Sequence, residues 1–110
     1  MRPLQDHESD LIKALYEAAG IPFVSSIRVR ATNEDGGSGL LIQPGSHIEK
    51  IAVSSRWFLD SDGIEVRASL NCTRQGKPAE IEFDKREGGN VQTWPQATAL
   101  RERPLNKSRL

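Results

Sequence analysis

Side chains able to do covalent or acid–base chemistry are few in this 110-residue chain, which holds one Cys and two His. A nucleophile working near neutral pH needs a base beside it, and His is the usual one. His7 falls in the first turn of an expected helix and His47 in the loop that follows Pro44-Gly45-Ser46. Neither sits in a Gly-x-Ser-x-Gly or His-Glu-x-x-His pattern. Cys72 lies on the apolar parity of an expected strand and reads as a small core residue. One Cys and two distant His offer no zinc-ligand spacing.

Three further patterns resolve into plain backbone features. Asp60-Ser61-Asp62-Gly63 resembles the start of a calcium loop, where clustered carboxylates meet a tight turn, but the later carboxylates and the bidentate Glu of such a loop are missing. It reads as a hairpin turn with Gly at positive φ. Gly36-Gly37-Ser38-Gly39 lies between two strands, whereas a phosphate loop joins a strand to a helix N-terminus. Glu65, Glu80, Glu82 and Asp84 fall on one sheet face. Paired carboxylates can drive glycoside chemistry, but only in a cleft, and steps of about 7 Å along an open strand face do not make one. No catalytic residue, cofactor or metal is implied.

The elements that place these residues are organised around residues 64–85. Ile64, Val66, Ala68, Leu70 and Cys72 alternate with Glu65, Arg67, Ser69 and Asn71, and after the turn at Thr73-Arg74-Gln75-Gly76-Lys77 the alternation resumes with Ala79, Ile81 and Phe83 inward. That is a hairpin with one apolar and one charged face. Upstream, Leu11, Ile12, Leu15, Ala18 and Ala19 recur at helical spacing, with Asp6 as the expected cap, Leu4 as a staple, and Gly20-Ile21-Pro22 as the stop. Residues 25–31 and 40–42 read as two short strands. A third and longest strand starts near Ile48, with Ile51, Val53, Ser55, Trp57 and Leu59 on its apolar parity. Phe58 then falls on the wrong parity: either a bulge turns both rings inward, or one ring is exposed and offers a contact surface.

Composition bounds the rest. The chain is 36% hydrophobic and 27% charged with six aromatics, enough for one domain and one core. Net charge is zero but uneven: residues 1–84 carry nine Lys/Arg against thirteen Asp/Glu, and residues 85–110 carry six against two. No signal-like or membrane-spanning apolar run is present, so a cytoplasmic location is expected, without membrane association. The reading is an α+β domain over residues 1–86, one N-terminal helix packed on an antiparallel, meander-like sheet of about five strands. Residues 87–110 form a basic extension expected to be weakly ordered or disordered. Arg101, Arg103, Lys107 and Arg109 could follow phosphates, but they are thinly spread beside a single Trp94, so nucleic-acid binding is not favoured. A tail folded back on the acidic sheet face is the competing account.

Met1-Arg2-Pro3-Leu4, the helix with Glu8, Leu11, Ile12 and Leu15, the run Asp62-Gly63-Ile64-Glu65-Val66 with Leu70-Asn71, and Gly76 through Glu80-Ile81-Glu82-Phe83-Asp84-Lys85 resemble a family of small bacterial proteins known only as a domain of unknown function. In that family a Trp precedes the final lysine, where this chain has Asp84, and the family tends to stop soon after this strand. The resemblance implies a bacterial origin and the domain boundary. It carries over no catalytic residue.

The expected function is a non-catalytic protein-binding module, immunity-like by analogy, with contacts through Phe58, Glu65, Glu80 and Glu82. A small-ligand protein or small enzyme using a helix–sheet pocket near His47 is the alternative. A homodimer through an open sheet edge is also compatible with the pattern.

Overall fold

A computed structural model of the chain describes residues 2–24, 26–32, 39–42 and 49–105. Its elements are β1 (Arg2–Pro3), α1 (Asp6–Ala18), β2 (Arg28–Ala31), β3 (Gly39–Leu41), β4 (Lys50–Leu59), β5 (Glu65–Thr73), β6 (Pro78–Lys85) and the 3-10 turn η1 (Ala97–Ala99). The expected α+β architecture is present, with six strands rather than five because Arg2 and Pro3 pair with Val29 and Arg28. The sheet is antiparallel throughout, in the order β1-β2-β3-β6-β5-β4. It consists of two three-stranded meanders joined where β3 pairs with β6, which leaves β4 at one edge. The Gly-rich turn at 33–38 and His47 lie outside the described residues.

The helix starts one residue earlier than its apolar pattern suggests. Gln5 is the N-cap, not Asp6, and its backbone N–H donates to Glu8 Oε1 at 2.9 Å. Both Glu8 oxygens also accept from the Arg2 guanidinium at 2.7 Å, so β1 and the first helical turn are tied by a forked ion pair. Glu8 is buried, which alone would raise its pKa, but the bonds from Arg2 and Gln5 and the nearby positive charge hold it below the usual carboxylate range.

One helix face fills the core. Leu11, Ile12 and Leu15 are fully buried against Val29, Leu40, Val66, Leu70 and Ile81, and each contributes about 2 kcal/mol of apolar burial. Leu4 packs onto the same cluster as the expected staple. At the far end of the helix, Ser54 Oγ donates to the Leu15 carbonyl at 2.7 Å and fastens α1 to the edge strand.

The parity of β4 is the main departure from the sequence reading. Ile51 lies opposite inward-facing Cys72, but the register slips between Ala52 and Ser54, and beyond that point Ser54, Arg56 and Phe58 lie opposite Leu70, Ala68 and Val66. A bulge at Val53 therefore exchanges the two faces. Phe58 is fully buried, edge-on to Phe83 with ring centroids 6.0 Å apart, and Trp57 lies on the outer face. The two alternatives that the pattern left open are both partly met: a bulge exists, but it sits upstream of the two rings, so it brings in one of them and not both.

Of the extension over residues 87–110, expected to be weakly ordered or disordered, residues 87–105 are described and lie against the body. Val91 is buried in the core cluster, and Trp94 packs edge-on to Phe83 at 5.0 Å and to His7 at 5.6 Å. Residues 97–99 contact α1, and Arg101 forms an isolated antiparallel bridge with Trp57 on the free edge of β4.

Candidate functional site

The face opposite the helix carries the charged alternation of β5 and β6. Its rows follow from the register: Asn71 beside Glu80, then Ser55, Ser69 and Glu82, then Trp57, Arg67 and Asp84, with Leu59 beside Glu65 at the end. The expected convergence of carboxylates on one face is present, yet most of them are already engaged. Glu80 meets Lys50 Nζ at 3.3 Å and accepts from Asn71 Nδ2 at 3.2 Å. Asp84 pairs with Arg67 at 2.9 Å, both side chains largely in water, an arrangement that adds little stability. The Ser55 and Ser69 hydroxyls are bonded at 3.0 Å. Glu82 is exposed.

Ser69 and Asn71 are buried on this face, and of its four carboxylates Glu65 alone is buried with them. Its Oε1 accepts from Arg86 Nη2 at 2.9 Å and its Oε2 from the backbone N–H of Leu105 at 2.5 Å. Among the described residues the tail folds back onto the edge of the acidic face through the backbone of Arg101 and Leu105. Arg101 donates to the Trp57 carbonyl at 2.8 Å and accepts from the Trp57 N–H at 2.9 Å, and Leu105 then reaches Glu65. Leu59, Ile64, Glu65, Arg86 and Leu105 line a cavity of about 230 Å³.

Phe58, expected as a contact residue, is removed from this surface by the Val53 bulge. Exposed apolar side chains do occur on β4 nonetheless. Of the five large hydrophobic residues exposed among the described ones, Ile51, Val53 and Leu59 belong to this strand, and Leu105 lies beside Leu59. The space under the helix, where a ligand pocket was the alternative, is filled by Leu11, Ile12, Leu15 and the sheet residues they touch.

A second group of charges escaped the sequence reading. Lys85 Nζ lies 2.8 Å from Asp60 Oδ2 and 2.6 Å from Asp62 Oδ2. Asp60 also accepts N–H bonds from Gln92 (2.8 Å), Ser61 (2.7 Å) and Thr93 (3.0 Å). Burial alone would push the Asp60 pKa up, but the lysine and the three N–H groups hold it at about 2. Lys85 is raised by the two carboxylates, and Asp62 is lowered chiefly by its bond to Lys85. The Asp-x-Asp turn thus holds its own ammonium where a calcium loop would hold a metal. Among the described residues no cluster of three or more His, Cys, Asp or Glu is placed to bind a metal ion. The signal was available: Lys85 continues the inward parity of Ala79, Ile81 and Phe83, and an inward lysine requires a buried carboxylate.

The fold and the face together define a small α+β domain with an open, polar-faced sheet and one partly apolar edge. The chain belongs to the family described as a domain of unknown function (DUF6984), whose model matches residues 1–95. That match runs past Lys85 and takes in Val91 and Trp94. No curated protein and no solved structure gives a significant match. Among the described residues no helix is long and apolar enough to cross a membrane.

Proposed function

We propose that the protein is a non-catalytic protein-binding module that uses the β4 edge and the adjoining outer face. The observation that carries this reading is the concentration of exposed apolar side chains on one edge strand, with Ile51, Val53 and Leu59 each about half exposed. Edge strands are usually blunted by charge or covered, and exposed apolar groups collected on one mark a contact surface. Glu80 and Glu82 lie further in on the outer face, across β5 from this edge, and Glu65 stands beside Leu59 at its far end. The Val53 bulge interrupts the regular edge, so contacts before it are made by side chains, and only the strand beyond it keeps a regular register, with the Ser55 carbonyl taken by Arg56 and the Trp57 groups by Arg101.

The test is affinity capture from the source cell's lysate with wild-type protein, Val53→Lys, Leu59→Lys and Glu82→Lys, and Glu17→Lys on the exposed side of α1 as control. A protein retained by wild type and by the helix control, but lost with Val53→Lys or Leu59→Lys, supports the reading. A partner held equally by all variants places binding elsewhere and rejects it.

A further inference from the structure

We infer that the free edge of β4 over residues 54–59, together with Glu65, is a docking site for an extended segment of a partner protein, a site that residues 101–105 of the chain itself occupy. The inference rests on the protein-binding reading and names what the edge receives.

With residues 101–105 seated, the site is enclosed while the segment that closes it lies mostly in water. Glu65 is 8% exposed, and one of its oxygens is held by Arg86 while the other takes a backbone N–H, a group every non-proline residue offers. The occupant, by contrast, is mostly in water: Arg101, Glu102 and Arg103 are exposed, and Leu105 is 44% exposed. It is held to the sheet by the reciprocal pair at Trp57 and the single bond at Glu65. The part of the chain just before it is fastened far more firmly, through buried Val91 and the Asp60 bonds to Gln92 and Thr93. Among the described residues, Trp57 is the one β4 position bridged on the free side of the strand. A partner strand that also paired beside Trp57 would form more ladder bonds than the tail does.

The geometry states what such a segment must carry. It needs a residue other than proline opposite Trp57, to give and take the two backbone bonds. Four places later it needs an N–H for Glu65 and an apolar side chain to lie beside Leu59 and Ile64, as Leu105, which follows Arg101, helps to wall the cavity there. Because the chain's own segment is tethered, it competes at an effective concentration in the range of about mM, which sets the affinity a partner must exceed.

The probe is a fluorescein-labelled peptide with the sequence of residues 99–105, titrated with the full chain. Arg101→Pro in the chain removes the N–H donated to the Trp57 carbonyl and frees the site. The expected result is binding about tenfold or more tighter to this variant than to wild type. A second peptide carrying the same proline in place of Arg101 should not bind the variant, and this control leaves the protein unchanged. Equal affinity of variant and wild type, indifference to the proline in the peptide, or no binding to either protein overturns the inference. The two readings fail separately. Capture that depends on Val53 or Leu59 with an indifferent peptide keeps the binding face and removes the docking site, whereas a discriminating peptide with capture insensitive to β4 does the reverse.

Discussion

The Lys85 ammonium and the Asp60 carboxylate lie 2.8 Å apart with side-chain exposures of 6% and 0%, and Asp60 at the same time receives the N–H groups of Gln92 and Thr93. One carboxylate thus joins the β4–β5 turn, the end of β6 and the segment that follows. Removing one partner of a buried pair strands the other charge, so Asp60→Ala is expected to cost about 3 kcal/mol or more in urea unfolding. It should also release residues 91–94, visible as a change in Trp94 fluorescence before global unfolding.

Acid should act through the same residue. A carboxylate held at about 2 when folded, against 3.8 for the free group, contributes stability that is present above about pH 4 and is lost as pH falls through about 2. The linkage amounts to about 2 kcal/mol. Glu8, also lowered, adds in the same direction. Measured from pH 5 to pH 2, wild-type stability should fall more steeply than that of Asp60→Asn, and equal slopes would show that Asp60 is not the group responsible.

Neighbouring residues on β4 should respond in opposite ways. Phe58 is fully buried and Leu59 is 51% exposed. Phe58→Ala is expected to cost about 3–5 kcal/mol, as large-to-small changes at aromatic core positions do, whereas Leu59→Ala should stay within about 0.5 kcal/mol. Similar losses at both positions would contradict the parity set by the Val53 bulge.

Phe58 also marks where the sequence stops being legible. On β5 and β6 strict alternation sorts the faces, and Val66, Ala68, Leu70, Ile81 and Phe83 are inward as read. The α1 core face was equally plain, because Leu11, Ile12 and Leu15 repeat at helical spacing. On β4 apolar residues occupy both parities, so a one-residue bulge decides which ring is buried, and that decision depends on the register against β5. Lys85–Asp60 and Arg86–Glu65 are pairs separated by more than twenty residues, which no local pattern links. The tail carried the least signal of all. The place of its last stretch, residues 101–105, is set by backbone bonds to Trp57 and Glu65, which any sequence free of proline at those points could make.

Gly39 is a backbone requirement of the β3–β6 seam. Its φ is +128°, and an added Cβ would lie 2.0 Å from the Ile81 carbonyl oxygen. Neither fault can be relieved by a side-chain rotation, since the obstacle is the paired strand itself. Gly39→Ala should therefore cost about 3 kcal/mol or more, well beyond the strain of an unfavourable φ alone. Gly76→Ala provides the comparison, because it too has positive φ, at 82°, but meets nothing within 4 Å, so its loss should be smaller by the size of the clash.

Alkali should report on the helix. Tyr16 is the single tyrosine of the chain, 3% exposed and edge-on to Phe23. Burial pushes its hydroxyl up to about 12, with Cys72 adding in the same direction. A group whose folded pKa is raised contributes stability that is complete below its unfolded value near 10 and is lost as pH rises through about 12. Phenolate absorbance should stay low past pH 10 and rise together with the loss of helical circular dichroism. In Leu15→Ala, where the packing around the ring is loosened, both changes should begin at lower pH. Absorbance that rises near pH 10 while the helix signal holds would mean that water reaches the ring in the folded state, and would place the Tyr16 face of α1 outside the core.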